Sequence, residues 1–434
     1  MLQFSQKAKS FKKRHNLVIF GLVGKRLSHS YSKTIHELIS SVKYDLIEVE
    51  DIDRFLLKKP FNGINITIPY KTNAIKYCDV VDDISRKIGN VNTIINKNGT
   101  LYGYNTDYHG LKTLLSINNI TIKDSSVLII GNGSTSRLTE IVCTELNAKI
   151  ITVIARNPKD NQDHIKNYSK YKNYDIIFNT TPYGMSPNYQ EEPLFSILEF
   201  KNLKAVIDLI YNPIHSPLLI ESKSLNIKAV NGLIMLIEQA IKANELFTNC
   251  SHNPKLTKEV YKIINQDKHN IVLIGMPMSG KSHYAKLLAN SLKKDFIDMD
   301  SYIEDKEKES IVNIFAKKGE QHFRNLETSY YKEIAYCSGL IISTGGGIVE
   351  NQEVMNHLSL NSVILFLDAP LSYLKRINPK NRPLLKTKSS IISLYNKRYP
   401  LYNQYADIII TKDTFDERKL QKEIEVALDE YFSA

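Results

Sequence analysis

The chain has 434 residues, of which 42% are hydrophobic and 24% are charged, with a formal net charge of +11. These proportions exclude wholesale disorder, and because the sequence contains no run of about 18 apolar residues we expect no membrane span. The length is more than one hydrophobic core usually serves, so we expect two to four domains.

The positive charge leaves two interpretations open: abundant surface lysine without functional meaning, or attraction of anionic ligands. The lysines are spread along the chain without a nucleic-acid-binding motif, so small phosphorylated or carboxylated ligands are favoured over nucleic acid. The four cysteines lie far apart, with no spacing typical of zinc sites or redox pairs, and predict reduced thiols in a cytoplasmic protein. The oligomeric state, monomer or homodimer, stays open.

The predicted elements form two series. The first 16 residues are basic and lack the apolar core of a secretory signal, so we interpret them as a leader, with a transit peptide as the alternative. Between residues 16 and 244, β-branched runs alternate with helical patterns, which predicts parallel sheets covered by helices. The predicted strands are LVIFGLVG, NGINITIP, SSVLIIG, KIITVIAR, DIIFNTTP and KAVIDLIY.

A second series follows Lys268 and comprises NIVLIGM, KDFIDMD, LIISTGGG, SVILFLD and ADIIIT. The amphipathic stretch LTKEVYKIINQ between the two series predicts a helix that closes the first unit, with a boundary near Asp267. Because neither series repeats the other, we interpret the chain as a fusion of two α/β proteins and not as a duplication.

A partial dinucleotide-binding motif follows the strand SSVLIIG. In this G-x-G-x-x-G pattern Ser136 replaces the last glycine. The candidate cofactor-binding residues are Gly131, Asn132, Gly133, Ser134 and Thr135. The next strand ends at Arg156 without an acidic partner for a ribose 2′-hydroxyl, which favours the 2′-phosphate of NADP over NAD. A solvated arginine at a strand end is the alternative.

Seven further segments resemble shikimate dehydrogenases over residues 17–246: SHSYS, GINITIPYK, VNT, GYNTD, NTTPYGM, DLIYNP and NGLIMLIEQ. The resemblance implies NADPH as the cofactor, Gly232 in its binding site, and Lys71 with Asp107 as the catalytic pair. It implies substrate binding by Ser30, Ser32, Thr67, Asn92, Tyr211 and Gln239. Lys71 would stabilise and protonate the oxygen that forms when hydride reaches the C3 carbonyl, and Asp107 would hold the lysine in place.

Taken singly, Lys71 could be a surface lysine and Asp107 a helix cap. The sequence departs from the family pattern at Lys33, Asn90 and Ser134. The departures at Asn90 and Ser134 bear on how the cofactor fits. None of the three is a residue that the reaction needs.

A phosphate-binding loop opens the second series. The strand NIVLI runs into GMPMSGKS, which matches G-x-x-x-x-G-K-[ST] from Gly275 to Ser282, with Gly280 as its second glycine, ahead of a predicted helix. This pattern predicts a nucleoside triphosphate as ligand, cradled by backbone N–H groups at the helix N-terminus. Lys281 would meet the β and γ oxygens and Ser282 would hold Mg²⁺.

Two aspartates follow in FIDMD. We predict an extended segment on which Asp298 and Asp300, two residues apart, face the same side. Asp298 would contact Mg²⁺ through water, and Asp300 would accept the proton of an attacking hydroxyl. The alternative for such a pair after a strand is a turn or a helix cap.

With GEQHFR, STGGG, NRPLL and KRYPLY, these motifs resemble shikimate kinases in order and spacing over residues 270–434. The resemblance implies ATP as phosphoryl donor, with Arg382 on a lid above it. It implies that the substrate contacts Arg324, Arg398, Gly346 and Gly347, the arginines binding its carboxylate and the glycines admitting it to backbone N–H groups. Met278 stands where the family has glycine, so a positive φ there would strain it and put nucleotide affinity at risk.

The sequence thus predicts a leader (1–16), a substrate-binding α/β domain (17–112, completed by 235–266), a Rossmann-like NADP-binding domain (113–234), a linker (267–270) and a P-loop kinase domain with a parallel sheet (271–434). We predict a bifunctional shikimate-pathway enzyme that reduces 3-dehydroshikimate with NADPH and then phosphorylates shikimate with ATP and Mg²⁺. The product of one unit is the substrate of the other, so the two resemblances support each other. The alternative is a quinate/shikimate-type dehydrogenase fused to a weak or inactive kinase-like module.

Overall fold

The computed structural model describes residues 19–27, 30–190, 192–375, 388–412 and 416–433. They fall into two compact units. Unit 1 takes the described residues of Met1–Thr106 together with Ala240–Ser251, and unit 2 takes those of Asp107–Gln239 and His252–Ala434. Both units are α/β, as the alternating strand and helix patterns predict.

Unit 1 is built on a six-stranded sheet in the order β2-β1-β3-β5-β6-β4. Its strands are β1 Phe20–Gly24, β2 Tyr44–Glu48, β3 Gly63–Ile66, β4 Val80–Val81, β5 Thr93–Lys97 and β6 Thr100–Tyr104. The helices are α1 Ser32–Ile39, α2 Ile52–Lys58, α3 Lys71–Ala74 and α4 Asp83–Ile88. The core beneath the sheet contains the fully buried Val23, Ile64 and Ile94.

This first sheet is mixed, so the prediction of purely parallel sheets is wrong here. β1 runs parallel to β2 and β3, but β3 pairs antiparallel with β5, and β5 with β6. Asn98 and Gly99 join β5 to β6 with φ values of 55° and 93°. An Asn-Gly pair with both φ values positive forms a tight hairpin turn, which forces the two strands to be antiparallel.

Unit 2 contains two fully parallel sheets. The first has six strands in the order β12-β11-β10-β7-β8-β9. They are β7 Ser126–Ile130, β8 Ile150–Ala155, β9 Asp163–His164, β10 Ile176–Asn179, β11 Ala205–Asp208 and β12 Lys228–Asn231. The accompanying helices are α5 Thr106–Ile117, α6 Ser134–Glu145, α7 Pro217–Ser224 and α8 Leu233–Thr248, with a 3-10 helix at Ile165–Tyr171. From Ala240 onward α8 belongs to unit 1.

The second sheet of unit 2 has five strands in the order β14-β15-β13-β16-β17. They are β13 Asn270–Ile274, β14 Asp295–Asp298, β15 Leu340–Ser343, β16 Ser362–Asp368 and β17 Ile408–Thr411. The helices are α9 Leu256–Lys268, α10 Lys281–Leu292, α11 Met299–Glu307, α12 Ile311–Ala335, α13 Gln352–Ser359, α14 Leu371–Leu374, α15 Lys388–Tyr405 and α16 Glu417–Ser433. A short 3-10 helix lies at Ile348–Glu350, and another lies at Ile75–Tyr77 in unit 1.

The central strand β13 is buried at every position. Val272 and Ile274 pack into one hydrophobic cluster, and Ile271 and Leu273 pack into another. Alternate side chains of a strand point to opposite faces, so this continuous apolar run is covered by helices on both sides. The carboxyl end of β13 is therefore held rigidly, and the phosphate-binding loop begins there.

Helix α9 is the predicted amphipathic stretch, and it belongs to unit 2. Nζ of Lys262 is 2.6 Å from a carboxylate oxygen of Asp429 in α16. The hydroxyl of Thr257 also donates to Glu238 of α8. The domain boundaries given from the sequence stay predictions.

Candidate active sites

The phosphate-binding loop joins β13 to α10 with backbone conformations that its sequence explains. Gly275 and Gly280 have φ values of 148° and 101°, which favour glycine. A Cβ added at Gly275 would also lie 2.7 Å from the carbonyl oxygen of Leu367. Lys281 begins α10, and its Nζ donates to the carbonyl oxygens of Gly275 at 3.0 Å and Met276 at 3.1 Å. The lysine thus lies directly on the loop.

Met278 has a φ of 70° within this loop. The left-handed conformation costs a residue with a Cβ roughly 1–2 kcal/mol. The side chain is half-buried and packs against the hydrophobic cluster that contains Val272. This is the conformation in which the sequence analysis expected Met278 to be strained.

The predicted magnesium residues lie at one edge of the sheet. The hydroxyl oxygens of Ser282 and Ser343 are 2.9 Å apart, and Ser343 pairs in register with Asp298 on the neighbouring strand. Within the described residues, no group of three or more His, Cys, Asp and Glu side chains could hold a metal ion. A hydroxyl and one carboxylate fit Mg²⁺, which in nucleotide sites takes most of its ligands from phosphate and water.

The prediction that Asp298 and Asp300 share an extended segment is wrong. Asp298 ends β14 and caps α11, accepting a hydrogen bond from the backbone N–H of Ser301 at 3.4 Å. Asp300 lies in the first turn of α11. The helix-cap alternative therefore describes Asp298, because the capping oxygen satisfies an N–H that the first helical turn leaves open.

Asp300 nevertheless reaches the glycine-rich turn after β15. A Cβ added at Gly345 would lie 3.3 Å from Oδ1 of Asp300 and 3.4 Å from Oε1 of Glu327. A Cβ at Gly347 would lie 3.1 Å from Nη2 of Arg398 and 3.5 Å from both terminal nitrogens of Arg324. The turn thus brings two carboxylates and two guanidinium groups together around bare backbone.

The glycine turn also touches the phosphate-binding loop. A Cβ at Gly346 would lie 2.7 Å from two ring carbons of Pro277. The hydroxyl of Tyr402 donates to the carbonyl oxygen of Gly346 at 2.5 Å, and the N–H of Gly345 donates to Tyr331 at 3.3 Å. The turn is held in place from both sides, and a molecule bound on it would be adjacent to the phosphates of a bound nucleotide.

Two acidic residues of this site were missed by the sequence analysis. Glu327 accepts from Nη1 of Arg324 at 2.7 Å, and Glu350 accepts from Nε of Arg398 at 2.6 Å. Burial raises the pKa of Glu327, although the nearby Arg324 partly counteracts it. Burial also acts to raise the pKa of Glu350, but hydrogen bonds from Lys397 and Arg398 outweigh it and lower that pKa. Only the i,i+3 spacing of Arg324 and Glu327 on α12 could have revealed such a pair.

Arg382, which the sequence analysis assigns to a lid, lies outside the described residues. The same is true of the basic leader, 1–16. Both assignments stay predictions.

The dinucleotide-binding motif forms a turn between β7 and α6. Gly131 has a φ of 103°, and a Cβ there would lie 2.8 Å from the hydroxyl of Thr180. The side chain of Asn132 donates to the carbonyl oxygen of Asn157 at 2.7 Å. Ser134 and Thr135 begin α6 directly after Gly133. The turn therefore presents a helix N-terminus, which suits an anionic phosphate.

Arg156 lies at the same sheet edge as this turn. It directly follows β8, which pairs in parallel with β7, and its side chain is exposed. The N–H of Gly131 donates to the carbonyl oxygen of Ile154 at 2.8 Å. A cationic side chain beside a phosphate-binding turn fits a cofactor with an additional 2′-phosphate.

Gly232 has a packing reason to be glycine. A Cβ there would lie 2.2 Å from the carbonyl oxygen of Leu209, and its N–H donates to Ile210 at 3.0 Å. The close contact joins the start of α8 to the segment after β11 that carries Tyr211. Gln239 lies on α8, nearly buried, and its side chain donates to the carbonyl oxygen of Leu236 at 2.8 Å.

Two of the predicted substrate residues of unit 1, Thr67 and Asn92, lie at the ends of β3 and β5, and the two serines lie at the start of α1. Thr67 follows β3, and its N–H donates to Val23 at 3.0 Å. Asn92 is buried, and its side-chain oxygen accepts from the N–H of Thr106 at 2.7 Å. The hydroxyl of Ser30 accepts from the N–H of Ser32 at 3.2 Å, just before α1. Asn90 is also buried and bonds to Asn105 at 2.7 Å, which gives this departure from the family pattern a structural role.

The predicted catalytic pair is divided between the units. Lys71 is the first residue of α3 in unit 1, and its carbonyl oxygen accepts from the N–H of Val91 at 3.2 Å. Asp107 is the first residue of unit 2 and lies in the first turn of α5. Their pairing stays a prediction.

The fold and the sites define a two-part class of protein: a dinucleotide-binding fold with a second α/β part, followed by a P-loop phosphotransferase fold. A family model described as "Shikimate dehydrogenase substrate binding domain" matches residues 22–94, and one described as "Shikimate kinase" matches residues 277–429. A shikimate dehydrogenase (NADP(+)) of Clostridium beijerinckii is 37% identical over 267 residues, which cover 57% of this chain and 98% of the relative. One from Methanococcus vannielii is 33% identical, covering 56% of this chain and 95% of the relative.

Solved structures agree in the same half of the chain. A chorismate mutase/shikimate 5-dehydrogenase fusion protein from Clostridium acetobutylicum aligns with a TM-score of 0.53 and 32% identity, over 57% of this chain and 97% of the other. Shikimate dehydrogenase 1 from Peptoclostridium difficile gives a TM-score of 0.52 and 32% identity, over 57% and 98%. The chain therefore belongs to the shikimate dehydrogenase family in its N-terminal half, and it carries a shikimate kinase domain after it.

Taken together, these domains make the chain a bifunctional shikimate-pathway enzyme that uses NADP and ATP. Its substrates are small molecules of the shikimate type. Among the helices of the described residues, none combines the length and apolarity needed to cross a membrane.

Proposed function

We propose that the chain reduces 3-dehydroshikimate to shikimate with NADPH and then phosphorylates the 3-hydroxyl of shikimate with ATP. The observation that carries the proposal is the convergence of Arg324, Arg398 and Asp300 around the glycine turn beside the phosphate-binding loop. Two guanidinium groups suit one carboxylate, and a carboxylate opposite them suits a hydroxyl. A hydroxylated carboxylic acid is also what a shikimate dehydrogenase releases, so the two halves share one metabolite.

In the proposed kinase step, Arg324 and Arg398 bind the carboxylate of shikimate, and the backbone of Gly346 and Gly347 lets the ring approach. Asp300 accepts the proton of the attacking hydroxyl. Glu327 and Glu350 hold the two guanidinium groups in place.

At the nucleotide, the N–H groups of the phosphate-binding loop and Nζ of Lys281 bind the phosphate oxygens, and Arg382 covers them. Ser282 and Asp298 would hold Mg²⁺, which neutralises charge on the transferring phosphoryl group when bound.

In the proposed dehydrogenase step, the turn from Gly131 to Thr135 binds the pyrophosphate of NADPH and Arg156 binds its 2′-phosphate. NADPH supplies the hydride when bound. Lys71 protonates the oxygen of the reduced carbonyl, and Asp107 orients Lys71. The substrate is bound by Ser30, Ser32, Thr67, Asn92, Tyr211 and Gln239.

A coupled assay that supplies 3-dehydroshikimate, NADPH and ATP tests both activities. Lys71→Ala should abolish NADPH oxidation but leave phosphorylation of added shikimate, and Asp300→Ala should do the reverse. Since each variant retains the other activity as a control for folding, loss of one activity alone identifies the site. Absence of both NADPH oxidation and ADP release in the parent chain would refute the proposal.

A second candidate is a quinate/shikimate-type dehydrogenase fused to a weak or inactive kinase-like module. The strained φ of Met278 favours it, because a distorted phosphate loop binds nucleotide poorly. Titration of the full chain with Mg·ATP, together with assays on quinate, separates the two candidates. Measurable ATP affinity and ADP release with shikimate support the first, and turnover of quinate alone without ATP binding supports the second.

The four cysteines, Cys78, Cys143, Cys250 and Cys337, are all free thiols. Free thiols are typical of a reducing compartment, which supports a location in the cytoplasm as part of the proposal.

A further inference from the structure

The loop between β11 and α7 carries Tyr211, and its first half is held within its own sheet. The N–H of Leu209 donates to Asn179 at 3.0 Å, and the N–H of Ile210 donates to the carboxylate of Asp208 at 3.1 Å. The carbonyl oxygen of Asn212 accepts from Ser186 at 2.8 Å. These bonds anchor the chain on both sides of Tyr211.

The second half of the loop is held by residues from the other sheet of unit 2. The side-chain oxygen of Asn361 accepts from the N–H of Ile214 at 3.0 Å. The N–H of His215 donates to Leu360 at 2.9 Å, and Nδ1 of His215 lies 3.1 Å from the carbonyl oxygen of Ser359. The three acceptors are the last residue of α13 and the two residues that join it to β16, and they belong to the kinase domain.

The hydrogen bond between Asn361 and Ile214 is buried. Asn361 and Ile214 are each only 3% exposed. A buried N–H that loses its acceptor cannot form a hydrogen bond with bulk water instead. The loop would have to rearrange to give the N–H of Ile214 a new acceptor. Asn361 therefore helps to hold the loop in this conformation.

The dehydrogenase relatives are shorter than this chain. The relatives from C. beijerinckii and M. vannielii are matched over 98% and 95% of their length by little more than half of this chain, which leaves them no room for a kinase domain. The acceptor that Asn361 supplies in this chain therefore comes from a domain that these relatives do not have.

We propose that Asn361, a residue of the kinase domain, is a positioning residue for the dehydrogenase reaction. It holds the loop that presents Tyr211 to the substrate, and it acts through the N–H of Ile214. This rests on the proposed function, in which Tyr211 contacts shikimate. The kinase domain then supports the dehydrogenase's binding site without contacting the substrate itself.

The test compares steady-state dehydrogenase kinetics of the full chain, measured as NADP⁺ reduction by shikimate. Asn361→Ala should raise the KM for shikimate about 5- to 10-fold and change kcat less than about twofold, because saturating substrate restores a loop that is only partly in its binding conformation. Asn361→Asp keeps an oxygen acceptor and should return the KM to within about twofold of the parent. Kinase turnover, measured in the same samples, should stay within about twofold of the parent.

Asn270→Ala is the matched control. Asn270 is also a buried asparagine, on the neighbouring strand β13. Its backbone N–H donates to the carbonyl oxygen of Asn361, a bond that Asn270→Ala keeps, but its side chain bonds to the backbone of Cys337 and Leu340 in the kinase domain, at 2.9 and 3.0 Å. It should leave the KM for shikimate in the dehydrogenase assay unchanged. An equal rise with Asn270→Ala, or no rise with Asn361→Ala, overturns the proposal.

If Asn361→Ala loses both activities, His215→Ala is tested in its place, because it removes a contact to the same turn from the dehydrogenase part of the chain. A raised KM for shikimate with intact kinase turnover supports the proposal. An unchanged KM for shikimate overturns it. A parent chain without any dehydrogenase activity refutes the proposed function instead.

Discussion

Among the three glycines of the turn after β15, Gly346 leaves the least room for a methyl group. A Cβ there would lie 2.7 Å from Cγ and Cδ of Pro277 and 3.0 Å from its backbone nitrogen. Ordinary contacts begin near 3.4 Å, so Gly346→Ala has to push the glycine turn and the phosphate-binding loop apart by roughly 0.7 Å. Neither side can yield through a flexible side chain, because Pro277 is ring-closed and its backbone forms the loop.

This displacement separates the acceptor hydroxyl from the phosphoryl donor. A misplacement of this order costs about 100-fold in rate, or about 2.7 kcal/mol in transition-state stabilisation. We therefore expect Gly346→Ala to lower the kinase kcat/KM for shikimate about 100-fold, measured as shikimate-dependent ADP release. Dehydrogenase activity in the same samples should be unchanged, since the altered residue lies in the kinase domain.

The neighbouring glycines give a graded control. A Cβ at Gly347 meets the tip of Arg398 at 3.1 Å, and one at Gly345 meets carboxylate oxygens no closer than 3.3 Å. These partners are side-chain ends that can move, so the loss of kinase activity should follow the order Gly346→Ala, Gly347→Ala, Gly345→Ala. Equal losses at all three positions, or a Gly346→Ala enzyme within a few-fold of the parent, would refute the steric reasoning.

Two further predictions concern strain and pH. Met278→Gly removes left-handed strain of roughly 1 kcal/mol, so the KM for ATP should fall about 2- to 5-fold. A rise in the KM for ATP would mean that the packing of the methionine side chain matters more than its strain. Burial lowers the pKa of His269 to about 3 from 6.5, so the folded chain keeps this imidazole neutral while the unfolded chain protonates it below pH 6.5. Its contribution to stability is complete above that pH and is lost as the pH falls toward 3, which amounts to about 2 kcal/mol between pH 7 and pH 5. His269→Gln should reduce the fall in the free energy of unfolding over this range, measured by urea denaturation, by that amount, and an unchanged fall would contradict the assignment.

The local motifs of this protein could be predicted because each is formed by adjacent residues. The phosphate-binding loop needs only glycines at positive φ between a strand and a helix, and the sequence from Gly275 to Ser282 states this directly. The parallel sheets of unit 2 follow from apolar β-branched runs between helices. The mixed sheet of unit 1 escaped prediction, although the Asn98-Gly99 turn between β5 and β6 was a usable signal.

Sequence alone determined the two fold classes, the phosphate-binding loop and the set of candidate catalytic residues, because all of these depend on short-range patterns or on family motifs. Only the tertiary structure decided that Glu327 and Glu350 hold the two arginines, that Gly346 lies against Pro277, and that Asn361 holds the loop after β11. These contacts join segments that are far apart in the chain. Their geometry is set by how the strands order within each sheet and how the sheets pack, and no local pattern of residues encodes it.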